Sequence, residues 1–167
     1  MISMNFIYVV LAALIPIFVG AVWYAKPVFG NAWMKAAGVT DEKVKGAHMA
    51  IIFVLAYILS LMISFAMVPI TIHQMGVFSV LANEPGIEDP NSPVGAYLTD
   101  FMVKYGKNFR TFKHGAFHGT ITAIFFALPV IGTLALFERK SFKYVAIHTG
   151  YWIVSLALVG GVVCAFV

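Results

Sequence analysis

Charge is what this chain has least of. Only 11% of its 167 residues are Asp, Glu, Lys or Arg, and none of these falls within residues 5–25, 47–72, 114–137 or 144–167. Proton-coupled pumps and drug antiporters depend on an ionisable group inside the apolar spans, so that class loses ground. The single cysteine, Cys164, excludes an internal disulfide and sits at the end of an apolar run, where it reads as a small hydrophobe. No Gly-rich phosphate loop and no Gly-x-Ser-x-Gly nucleophile motif occur. The net charge of +4 is scattered over short segments and makes no basic stripe interleaved with aromatics, so nucleic acid is not an expected partner.

What fills the chain instead is apolar residue. Hydrophobic side chains make up 61% of it and the mean hydropathy is +0.91. A water-soluble domain of this size cannot hide that much apolar surface. The length divides into four spans of about 20 to 25 residues plus connections. The expected fold is therefore an all-α integral membrane protein, a single domain over residues 1–167 built as a four-transmembrane-helix bundle. The spans are placed at about 5–25, 47–74, 110–137 and 142–166, with a connection over 75–108 that carries a short interfacial amphipathic helix at about 93–105.

Local signals set the joints. The first span reads as a retained anchor, since no basic residue precedes it and its run exceeds a signal-peptide core. Pro16 and Gly20 predict a bend within it, and Trp23, Tyr24 and Lys26 mark its interface. The following KPVFGNAWMKAAG predicts a short surface helix ended by Gly38, and Thr40 an N-cap for a second helix running unbroken to about Gln74. Ser92 before Pro93 predicts another N-cap, and Ser141 a third. Only ERK separates the last two spans, which makes them antiparallel neighbours. Seven basic residues flank the connections after spans one and three, against four in the long middle connection. By the positive-inside rule the long connection and both termini are expected on the outer side.

Five histidines carry the remaining chemistry. His73 should end the second span on the side where the third begins with His114 and His118, two residues one turn apart on one face. That spacing lets two imidazoles share a metal, and the three together offer a metal site, a haem ligand set or a proton relay. Histidines also rest at membrane boundaries by bonding water, lipid or backbone, and no acid or Cys pair reinforces the ligand reading. His48 and His148 form a second candidate pair at the opposite boundary, with interfacial anchoring as the simpler role. Gly115 with Gly119, and Gly160 with Gly161, are candidates for close helix packing, either within one subunit or between copies. Tyr151 and Trp152 could face a lipid or quinone.

The segments GAVWYAKPVFGNAWMKAAG, FKHGAFHGT, ALFERKSFKY and GYWIVSLALVGG together resemble the bacterial membrane family called domain of unknown function seventeen sixty-one. The stretch GAYLTDFMVKYGKNFRTFKHG is similar to the version found in Bacteroidetes. The resemblance implies a four-helix membrane protein and brings no activity, substrate or catalytic residue with it. The favoured expectation is a non-enzymatic structural or accessory component of a membrane assembly, with the lipid bilayer, a second copy or a larger complex as partners and no cofactor. The alternatives are an oligomeric channel or carrier for small solutes, and a metal or haem protein built on His73, His114 and His118.

Overall fold

The computed structural model describes residues 4–46 and 48–167, with the Lys45 side chain excepted. Every regular element among them is helical. Ala47, the expected start of the second span, and residues 1–3, which carry the N-terminus, lie outside the described residues.

The first apolar run forms α1 (Ile7–Ala12) and α2 (Ile15–Trp23). Their joint falls just before Pro16, where the missing N–H breaks the ladder and Leu14 bonds back three residues to Leu11. A second break follows at Tyr24 and Ala25, and the chain turns by 59°. A π-helical turn (Lys26–Gly30) and α3 (Asn31–Ala37) run on from there to Gly38, which takes the left-handed conformation that ends the helix. Gly30 is required at the bend, because a Cβ there would meet the Ala25 carbonyl carbon at 2.8 Å. Lys140 Nζ donates to the Ala37 carbonyl at 2.9 Å and so ties this limb to the turn between the last two helices.

The second run departs from the expected continuous helix. Thr40 caps α4 (Asp41–Lys45), which stops at Gly46, and α5 (Met49–Thr71) begins anew. The helix breaks again at Ile72, three residues beyond Pro69, and α6 (Gln74–Leu81) follows within the connection, for which only the helix at about 93–105 was expected. The physical reason is local: Pro69 withdraws one ladder bond, and Gln74 Nε2 is held by the carbonyls of Tyr105 (3.0 Å) and Asn108 (2.9 Å) in the next connection. The amphipathic segment forms α7 (Pro93–Tyr105), capped by Ser92.

The third run starts at Phe112 rather than near residue 110. Thr111 caps α8 (Phe112–Thr122), and Phe109 ahead of it sits at φ 61°, outside helical space. A π-helical turn (Ala123–Ala127) leads into α9 (Leu128–Phe137). The wider turn lies just before Pro129, whose ring would otherwise collide with the carbonyl four residues back. The last run is one helix, α10 (Phe142–Phe166), capped by Ser141.

Helix α10 is the axis of the molecule. The core gathers Leu156, Val159 and Val163 of α10 with Val9 and Ala12 of α1, Met67 and Val68 of α5, and Ala123 beside α8. Large apolar side chains also cover much of the outside. Phe125 (75% exposed), Leu136 (75%) and Phe137 (85%) face outward, whereas Ser60, Ser64, Thr149 and Ser155 are buried. Three helices are long and apolar enough to cross a membrane (Met49–Thr71, Phe112–Phe137 and Phe142–Phe166), and a fourth crossing results if the bent first pair counts as one. An apolar exterior of this extent marks a protein made for lipid contact.

Candidate metal centre

The site begins with a packing constraint. Helix α8 lies against α10 so closely that a Cβ on Gly115 would strike the Gly160 carbonyl, and one on Gly119 the Leu156 carbonyl. On the α10 side, a Cβ on Gly161 would sit 2.5 Å from the Phe112 ring. The four glycines therefore meet one another's helices within one chain, and backbone approach of this kind is what small residues permit. Gly115 and Gly119 fix the rotation of α8 about its axis. His114 and His118 each precede one of them, about 100° further round, so their rings lie beside the α8–α10 seam at the end of α5.

His73 is delivered by the break after α5. Ile72 is fully buried, Gln74 is anchored on both nearby carbonyls, and His73 between them is left at the surface. Cys164 joins the same corner: its Sγ donates to the carbonyls of Thr71 (3.4 Å) and Phe109 (3.3 Å). Arg110 Nε donates to the Cys164 carbonyl at 2.8 Å, which gives the carboxyl end of α10 a cationic cap.

The three imidazoles converge. Each of His73, His114 and His118 offers one ring nitrogen, and the three nitrogens lie within 4.8 Å of one another. Nε2 of His73 and Nε2 of His114 stand 2.9 Å apart in a hydrogen bond, so one ring holds the proton and the other a lone pair. Ring centroids are 4.9 Å apart for His73 with each partner and 4.5 Å for His114 with His118. Phe109 packs edge-on to His73 at 6.3 Å and beside His114 at 5.1 Å, and Phe117 flanks His118 at 5.8 Å. His73 is exposed and the other two are half-buried, so the cluster has apolar sides and one open face. Tetrahedral zinc with imidazole bonds of about 2.0–2.1 Å holds its ligand nitrogens about 3.3 Å apart, a spacing that lies between the 2.9 Å of the His73–His114 pair and the 4.8 Å limit of the set. The cluster contains no carboxylate among the described residues.

The second histidine pair is not brought together. His48 stands exposed at the start of α5, while His148 Nδ1 bonds the Tyr24 hydroxyl at 2.8 Å. Around that bond gather Tyr144, with its ring 4.3 Å from His148, and Tyr151, whose hydroxyl donates to the Pro16 carbonyl at 3.0 Å. The sequence offered Tyr24 only as an interface aromatic. Its partner lies 124 residues away and no local pattern announces it.

The chain matches the family described as protein of unknown function (DUF1761) over residues 7–164, and it belongs to that family. No curated protein and no solved structure matches it.

Proposed function

We propose that this member of the family crosses the membrane four times and binds a divalent transition-metal ion at His73, His114 and His118. The observation that carries the reading is the convergence of three imidazole nitrogens from two separate chain segments within 4.8 Å. Neutral imidazole suits zinc, copper, nickel and cobalt, and three protein ligands leave a position free on the open face. A bare ion is favoured over haem, because His73 and His114 touch directly at 2.9 Å and a macrocycle needs room between its axial ligands. With no carboxylate base in the cluster, the role is read as binding rather than catalysis: a non-enzymatic membrane component that holds or passes on its ion.

The four-span reading rests on the three long apolar helices and on the bent first pair counted as one crossing, with Lys26–Ala37 lying along the surface. The surplus of basic residues after spans one and three supports an orientation with the long connection, and with it the histidine cluster, on the outer face.

Purified protein titrated with cobalt(II) tests the metal reading, since a three-nitrogen site gives visible absorption bands. One ion per chain is expected, and the His114→Ala, His118→Ala double variant should bind none at the same concentration. Equal binding by the variant, or no binding by the parent, ends the proposal.

A further inference from the structure

At the boundary opposite the histidine cluster, the first half of α5 stands away from α2 and α10 and leaves a cleft. Its volume is about 660 Å³, within the range of sites that hold small molecules. Ile17, Phe53 and Ala56 make its depth apolar, and Tyr24, Trp33 and Tyr151 give it an aromatic side.

One end of the cleft is polar in two places. Lys43 of α4 lies at the mouth, and it takes part in neither of the two ion pairs among the described residues, Lys26–Asp41 and Lys104–Asp100. Deeper in stands the Tyr24–His148 pair. If the tyrosine donates its one proton to Nδ1, the imidazole proton is assigned to Nε2. That Nε2 is closed off by protein atoms and has no hydrogen-bond partner, while His148 is among the residues that line the cleft. The Tyr151 hydroxyl is engaged by the Pro16 carbonyl.

The depth is informative too. Buried Ser60 lines the far end, eleven residues into α5, or about 17 Å along the axis. Half of a hydrocarbon layer is about 15 Å. The cleft thus spans one leaflet, with a cation at its rim and an apolar channel beneath.

We propose that the cleft holds one anionic phospholipid of the surrounding bilayer. Its phosphate pairs with Lys43, and one acyl chain lies between α2 and α5. A quinone would leave the cation at the rim unmatched. The assignment is independent of the metal at the far boundary.

Native mass spectrometry of the full chain in mild detergent tests it, with dioleoyl phosphatidylglycerol, dioleoyl phosphatidylcholine and a short-chain menaquinone added in turn. One phosphatidylglycerol per chain should be retained, roughly fivefold more tightly than phosphatidylcholine, the worth of one basic residue against an anionic lipid. Lys43→Ala, an exposed change that leaves the fold alone, should erase that preference. Ala56→Trp fills the channel without touching either polar group and should lower retention of both lipids, with an unchanged elution profile as the check on folding. Equal retention of the two lipids by the parent overturns the proposal, as does a preference for the quinone or a preference for phosphatidylglycerol that survives Lys43→Ala.

Discussion

Cys164 and His73 show how single side chains set up this corner of the molecule. The thiol is fully buried and donates to carbonyls from the end of α5 and the segment before α8, the two stretches that deliver the histidines. In the native state it should resist a maleimide reagent over hours and react within minutes once sodium dodecyl sulfate opens the fold; prompt native labelling would show that the corner is open. His73 is different, because it is exposed and carries little packing. Replacing it with alanine should change thermal stability by no more than about 0.5 kcal/mol, yet weaken cobalt binding by about 100-fold or more, since even loss of a group behind a ligand costs 10–100-fold. A titration beside a melting curve separates the two effects. The histidines were legible as a set because their spacing put all three at one boundary. The Tyr24–His148 bond was not, since it joins residues whose own neighbourhoods say nothing of each other.

At the scale of elements, glycines in apolar helices divide into those that hold two helices together and those that do not. A methyl on Gly119 would run into the Leu156 carbonyl, whereas one on Gly132 would meet nothing within 4 Å. Gly119→Ala should therefore destabilise the protein by about 1–3 kcal/mol or more, the cost of overpacking against a rigid backbone. Gly132→Ala should be neutral or stabilise by up to about 1 kcal/mol through helix propensity. Thermal unfolding in one detergent compares them directly, and a similar loss in both would remove the seam from the account. Chemistry in adjacent residues made several helix starts readable: the hydroxyls of Thr40, Ser92 and Ser141 accept from the amides of Lys43 (3.4 Å), Gly95 (3.0 Å) and Tyr144 (3.3 Å). The break at Ile72 and helix α6 beyond it were not readable. The break is stabilised by the bonds from Gln74 to carbonyls more than thirty residues away, and an unbroken apolar run conceals it.

For the whole molecule, the decisive fact is that apolar side chains fill the core and also cover the outside, where Phe18, Phe125 and Phe137 are exposed, while Ser64 and Ser155 are buried. Composition already required this, because 61% hydrophobic residues cannot fit inside so small a body. Composition does not say which end faces which side, and for that only the basic residues speak. Because Cys164 is buried, it gives a quiet background for introduced thiols. Asn91→Cys lies in the turn before α7 and Glu138→Cys between α9 and α10, both at exposed positions. In intact cells a membrane-impermeant maleimide should label the first and not the second, which should react only after permeabilisation. The reverse pattern would invert the protein and put the histidine cluster inside. Labelling of both from the same side would break the four-span reading itself, since Phe112–Phe137 could then not cross. On the proposed outward orientation, the open face would meet ions that cytoplasmic thiols do not buffer, and three neutral imidazoles would suffice where thiolates would otherwise be needed to compete.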